Sequence, residues 1–194
     1  MTAATSTAAS CYPGETAKPE DLIALAAQFQ NAAKEASRIW VRGQNTTAAP
    51  FRLLSIHAIE LYLNAFLLHC GEPAPAIRGM QHNLAARVAL LDKHKLVLRT
   101  KTRAHLSDIS LNREYLVSRY APDVTTLSQI NRLQATLIEV ETKVRAKLAP
   151  PPPAKSAKAG PKAPAPVRSP QPEPRQLDLL ARPSGAKLRW RLAQ

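Results

Sequence analysis

The chain has 194 residues, 45% of them hydrophobic, which is enough for one ordinary domain with extensions that do not fold. Lys and Arg number 27 against 14 Asp and Glu, so the formal charge of +13 favours an anionic partner such as nucleic acid or an anionic membrane surface. Cys11 and Cys70 lie far apart and match no disulfide framework or zinc-ligand spacing, so we predict neither a metal nor a cofactor.

Residues 1–16 are small and polar and are predicted to be a disordered N-terminus. They lack the basic and apolar regions of a secretory signal, and no apolar run approaches the length of a membrane span. The pattern therefore predicts a cytoplasmic protein that does not insert into a membrane.

Residues 17–148 carry the periodicity of helices. In "KPEDLIALAAQFQNAAKEASRIW", acidic residues follow Pro19 at a helix start, and apolar residues recur every three or four positions as far as Trp40. A second helix is predicted from about Pro50 to Cys70, with Gly71 as its C-terminal cap.

Three further helices are predicted: a short one in "QHNLAARVALLDKHKL", one over residues 98–118, and a last one in "TTLSQINRLQATLIEVETKVRAKL". Apolar residues of the last helix recur close to every 3.5 positions, a seam that docks either on the bundle or on a second copy of the chain. Because no strand-like alternation stands out, we predict an all-α bundle of about five helices.

Three blocks in this region are similar to the HEPN family (higher eukaryotes and prokaryotes nucleotide-binding domains). They are "LLSIHAIELYLNAFLLHCGEP", "HNL" at 82–84 and "LNREYLVSRYAPD" at 111–123, in that order and at suitable distances. The resemblance covers about residues 18–148. It implies a helical bundle that often dimerises.

Many HEPN members are metal-independent ribonucleases, so the resemblance implies an alternative function for this chain. In those members an arginine steadies the phosphate charge while a nearby histidine moves a proton. The one pair at a matching spacing here is Arg99 and His105, although Thr100 stands where the family commonly has Asn, Asp or His. The other interpretation of this pair is a solvated basic helix face that includes a histidine.

A polar stripe interrupts the second predicted helix. At 100° per residue, His57, Glu60 and Asn64 fall within a wedge of roughly 60°. We expect them to hydrogen-bond to one another and to His82 or Tyr115 on neighbouring helices, because buried polar groups need partners. The competing hypothesis is a polar groove for a nucleotide or RNA phosphate.

The residues after the bundle divide into a linker and a tail motif. Residues 149–175 are rich in proline and lysine and predict an extended, semi-rigid tether. The pentapeptide after it resembles the motif by which bacterial proteins dock on the DNA sliding clamp, the glutamine filling one subsite and the apolar pair a pocket. That pentapeptide is Gln176, Leu177, Asp178, Leu179 and Leu180.

The last residues, in the tail motif 176–194, interleave basic and apolar side chains in "GAKLRWRLAQ". Lys187, Arg189 and Arg191 can neutralise phosphates while Trp190 stacks on a base, as in proteins that bind single-stranded nucleic acid. A segment that completes a partner's surface is equally consistent with the pattern.

The leading hypothesis is a noncatalytic HEPN-like binding module, dimeric, whose basic tail engages RNA, DNA or the sliding clamp. One alternative is a toxin-type HEPN ribonuclease, which would have a cognate nucleotidyltransferase as its partner. A second alternative is a protein-binding adaptor whose charge serves solubility.

Overall fold

The computed structural model describes residues 14–121 and 127–149, and within these ranges the chain is all-helical, with no strand. The linker and the tail, including Gln176 to Trp190, lie outside the described residues. The helices are α1 (Pro19–Ala36), α2 (Asn45–His69), α3 (Ala74–Gly79), α4 (Leu84–Lys93), α5 (Thr100–Leu111), α6 (Glu114–Tyr120) and α7 (Ile130–Leu148), with a turn of 3-10 helix at Ser37–Ile39.

The predicted fold class is confirmed, but the described residues form seven α-helices rather than about five. The segment after α2, which was predicted to be a connector, contains the short helix α3. Its prolines and its length of six residues leave no apolar repeat that would predict a helix. The predicted fourth helix is two helices, because Arg113 adopts a left-handed conformation (φ 51°) that ends α5 and starts α6.

Helix α2 begins at Asn45, five residues before the predicted start at Pro50. The Thr47 hydroxyl stabilises the first turn of α2: its Oγ1 accepts from Val41 N at 2.9 Å and donates to Gln44 O at 2.8 Å. Pro50 is therefore accommodated in the second turn of a helix that has already begun.

The core is built around α2, which packs against α1, α4, α6 and α7. Side chains such as Ile59, Leu63 and Leu67 are fully buried. The predicted seam of α7 docks on the bundle, and its members Leu133 and Val140 are 0% exposed. Trp40 was predicted to continue the packed face of the first helix, but it follows the 3-10 turn in an extended conformation and is 39% exposed.

Helix α2 is also long and apolar enough to cross a membrane, with a mean hydropathy of 1.3 in its most apolar window. This differs from the expectation that no segment approaches that length. However, 72% of the window is buried inside the bundle, as is usual for a core helix.

Because α2 is central, shortening an isoleucine to alanine should destabilise the protein more in α2 than at an exposed position of α7. We expect Ile59→Ala to lower the free energy of unfolding by about 2–5 kcal/mol, because it leaves a cavity at a fully buried position. Ile138→Ala, at a side chain that is 50% exposed, is the matched control and should cost far less. Urea denaturation measures both, and equal losses would contradict the central placement of α2.

Candidate functional site

The polar stripe of α2 meets an arginine of α4 inside the bundle. Arg87 is 1% exposed; its Nη2 donates to Glu60 Oε1 at 3.2 Å and its Nε donates to Asn64 Oδ1 at 2.7 Å. His82 Nδ1 lies 3.0 Å from the other carboxylate oxygen of Glu60. We call these four residues the Arg87 cluster. Glu60 and Asn64 are therefore joined through Arg87 rather than by a direct hydrogen bond.

The start of α4 positions Arg87. The Asn83 side chain caps the helix by accepting from Ala86 N at 3.0 Å, which fixes the first turn. One turn later Arg87 Nη1 donates back to the Asn83 carbonyl at 3.1 Å. The sequence carried a signal for this residue, since Arg87 lies on the apolar stripe between Leu84 and Leu91, where a charge requires a buried partner.

Tyr115 adjoins the cluster by stacking rather than by a hydrogen bond to it. Its ring lies 3.8 Å from the His82 ring, with 24° between the planes, and its hydroxyl accepts from Arg119 Nη1 at 3.1 Å. His57 makes no described hydrogen bond to the cluster: its ring meets Phe29 edge-on at 4.4 Å, and its Nδ1 is buried with no hydrogen-bond partner among the described residues. Burial lowers the pKa of His57, an effect that Glu60 partly opposes.

A cleft of about 470 Å³ opens beside the Arg87 cluster, and its lining includes His57 and all four cluster residues. The guanidinium of Arg87 faces the carboxylate of Glu60 within it. Because the two opposite charges satisfy each other, the cluster gives the cleft little net attraction for an anion. Its main role is to hold α2 and α4 together.

Breaking this buried pair from one side should be strongly destabilising. We expect Arg87→Met to lower the free energy of unfolding by roughly 3–5 kcal/mol, because it leaves Glu60 buried without its cation. Arg103→Met, which breaks the more exposed pair with Asp92, should cost at most about 1 kcal/mol. Urea denaturation of both variants measures the difference. Adding Glu60→Met to Arg87→Met should restore part of the loss, and no restoration would contradict the pairing.

His105, half of the predicted catalytic pair, is buried at 7% exposure with both ring nitrogens occupied. Nδ1 lies 2.8 Å from Thr136 Oγ1 on α7, and Nε2 lies 2.7 Å from Ser128 Oγ. Ser128 in turn donates its hydroxyl and its backbone N–H to the buried Glu114. His105 thus links α5 to the start of α7.

Arg99, the other half, caps the start of α5 through Glu139 of α7. Its backbone N–H and its Nε donate to the two Glu139 carboxylate oxygens at 2.7 and 2.6 Å, and Thr102 Oγ1 donates at 2.6 Å. Burial alone would raise the pKa of Glu139, but these hydrogen bonds outweigh it and lower the pKa. Arg99 and His105 contact different partners and share no described contact that would bring them to one phosphate.

The burial of His105 predicts a pH dependence of stability. Burial, assisted by Arg132, lowers the pKa of His105 to about 4 from an ordinary 6.5. Between these values the unfolded chain binds a proton that the folded chain does not, so stability falls as the pH drops from 6.5 to 4, by up to roughly 3 kcal/mol.

Free energies of unfolding at several pH values in this range check the effect. We expect His105→Gln to lose less stability than the wild type on acidification, since the glutamine carries no titrating group. His69→Gln, at an exposed position of α2, controls for the removal of a histidine. Parallel curves for His105→Gln and the wild type would contradict the burial of a neutral His105.

A second cleft, of about 610 Å³, opens where α2 and α7 begin. We call it the Trp40 cleft; the residues used below are Trp40, Arg42, Asn45, Arg52, Asn131 and Gln134. No pattern along the chain marks this group, because its members come from three segments that only the packing of α2 against α7 brings together. Among the described residues, its lining holds arginines but no Asp or Glu.

The described residues contain no group of three or more His, Cys, Asp or Glu side chains placed to hold a metal ion. Comparison of the chain with protein-family models, with curated proteins and with solved structures gives no match.

Proposed function

We propose that the chain is a noncatalytic, HEPN-like binding module that engages nucleic acid. The observation that carries the proposal is the balance of charge on the described residues. Seven carboxylates are taken up by ion pairs within the bundle, and most of the cations without an ion pair among the described residues face solvent, where they outnumber the exposed and unpaired Glu20, Asp21 and Asp108. The paired carboxylates are Glu35, Glu60, Glu72, Asp92, Glu114, Glu139 and Glu141; the unpaired exposed cations include Arg42, Lys95, Lys101, Arg113 and Lys143.

Such a surface attracts polyanions without needing a catalytic centre. Lys and Arg side chains that face solvent release counterions from phosphates on binding, which gives affinity that does not depend on sequence. The tail, with Lys187, Arg189, Trp190 and Arg191, would add cations and a stacking ring to the same partner. Both parts of the chain therefore support one class of ligand.

The geometry around His105 and Arg99 supports binding without cleavage. A general base must reach the proton that it abstracts, yet the ring nitrogens of His105 lie within hydrogen-bonding distance of Thr136 and Ser128 in the protein interior. Arg99 already pairs with Glu139. The Arg99 side chain stays largely exposed beside Glu139, whereas the ribonuclease alternative requires the buried His105 to leave its partners.

Family membership, dimerisation and clamp docking belong to the same proposal. The HEPN assignment is supported by the order of the three sequence blocks. A homodimer is supported by apolar side chains left in solvent near the junction of α5 and α6, namely Leu111, Leu116 and Tyr120. The segment Gln176 to Leu180 is proposed as a separate docking peptide for the sliding clamp.

The test is an assay of binding and cleavage on the same RNA. We expect the full chain to bind a labelled single-stranded oligonucleotide with an affinity that falls as salt rises, and to leave the RNA intact. Arg99→Ala and His105→Ala should behave like the wild type once folding is verified by circular dichroism. Gel electrophoresis of the RNA and fluorescence anisotropy provide the measurements.

Two results would contradict the proposal. RNA cleavage by the wild type that is lost in both variants would establish the ribonuclease alternative. Failure of the full chain to bind RNA or DNA at low salt would leave the protein-binding adaptor as the better description.

A further inference from the structure

The N-termini of the two longest helices converge on the Trp40 cleft. Helix α2 begins with Asn45 and α7 with Ile130, and both residues line the cleft. Neither N-cap side chain, Gln44 or Gln129, accepts a hydrogen bond from its helix. The Thr47 amide donates to the Gln44 carbonyl and the Arg132 amide to Asn131 Oδ1, so the attraction for an anion comes mainly from the helix dipoles, which place partial positive charge at both helix ends.

A buried arginine independently points to a ligand in this cleft. The Arg52 side chain lines it and is only 6% exposed as a residue, and its Nε has no hydrogen-bond partner among the described residues. Its Nη1 donates to the Ser128 carbonyl and lies 3.9 Å from Glu114 Oε2. Glu114 Oε2 likewise has no hydrogen-bond partner among the described residues, so Arg52 and Glu114 form an ion pair without a direct hydrogen bond, and the Nε–H of Arg52 remains an unused donor on a side chain that lines the cleft.

The residues toward the solvent side of the cleft suit the rest of a nucleotide. Trp40 exposes 39% of its surface, enough for a base to stack on the indole. Arg42, which is exposed, supplies a second cation. Asn45 and Gln134 supply amides that can donate to and accept from a base edge or a ribose, and Asn131, whose Oδ1 accepts from Arg132 N, supplies an NH2 donor.

We propose that the Trp40 cleft is a binding site for single-stranded nucleic acid, with a backbone phosphate at the two helix N-termini beside Arg52 and an adjacent base stacked on Trp40. This inference rests on the proposed function and specifies where the nucleic acid is held. The site lies on the helical bundle itself and is distinct from the tail residues. Duplexes are poor ligands for it, because their bases are already stacked on one another.

The combination of groups distinguishes this ligand from other anions. A free phosphate needs the helix N-termini and Arg52 but gains nothing from Trp40. An acidic peptide would use the arginines yet offers no flat ring system to stack on the indole. Only a nucleotide unit uses the cationic and the aromatic groups together.

The first experiment measures the affinity of the full chain for a fluorescein-labelled oligouridylate, long enough to cover a single-strand site of about 4–16 nucleotides. We expect Trp40→Ala to weaken binding by roughly 5- to 100-fold, because base stacking on the ring is lost. Arg42→Ala should lower the slope of log affinity against log salt by about 0.7, the contribution of one phosphate contact on a single strand. Lys93→Ala removes one exposed charge that already pairs with Glu72 on the surface of the bundle, outside the cleft lining, and is the matched control.

The second experiment uses tryptophan fluorescence to locate the contact. The chain has two tryptophans, so Trp190→Phe leaves Trp40 as the only reporter in the full-length protein. We expect the oligouridylate to quench its emission strongly. Uridine monophosphate, an RNA duplex and a polyglutamate peptide, titrated in parallel, should require far higher concentrations.

The outcomes separate the two proposals. If the oligouridylate binds but Trp40 emission is unchanged, and Trp40→Ala and Arg42→Ala bind like Lys93→Ala, the cleft proposal is overturned while the proposed function stands. Equal binding of uridine monophosphate would assign the cleft to a free nucleotide, and equal binding of polyglutamate would assign it to an acidic peptide; either overturns the inference. Absence of any binding by the wild type overturns both proposals.

Discussion

A helix that is buried on almost every side can carry charged and polar side chains only if neighbouring helices provide their partners. Helix α2 is such a helix, and Arg87 of α4 is the partner for Glu60 and Asn64. The ion pair orients α4 against α2, and His82 extends it toward Tyr115 on α6. Three helices are thereby held in register by a small number of polar contacts within an otherwise apolar core.

The same constraint decides the role of the histidine that most resembled a catalytic group. His105 lies on the inner face of α5, where Thr136 and Ser128 occupy its two nitrogens. Burial keeps it neutral and makes it a structural link between helices. Arg99 and His105 are six positions apart. At 100° per residue, side chains six positions apart on an α-helix point about 120° away from each other, so a matching spacing in the sequence does not place both on one face.

The two clefts differ in how completely their charges are paired. In the cleft beside Arg87, cation and carboxylate face each other at 3.2 Å, so an incoming anion finds little uncompensated charge. In the Trp40 cleft, Arg52 meets its nearest carboxylate only at 3.9 Å, and two helix N-termini add further positive potential. A polar stripe in the sequence thus led to a structural cluster, whereas the site better suited to an anion had no pattern along the chain.

The amino-acid sequence by itself determined the fold class, because apolar residues repeating every three to four positions can bury a continuous face only as helices. It also indicated the apolar seam of α7, but not whether that seam docks on the bundle or on a second copy of the chain. It did not determine the helix boundaries around Pro50 and Arg113, which depend on a hydroxyl contact and on one left-handed residue. Only the tertiary structure decided which polar residues meet, because helix packing, and not spacing along the chain, pairs Glu60 with Arg87 and places Arg42 and Gln134 in the lining of one cleft.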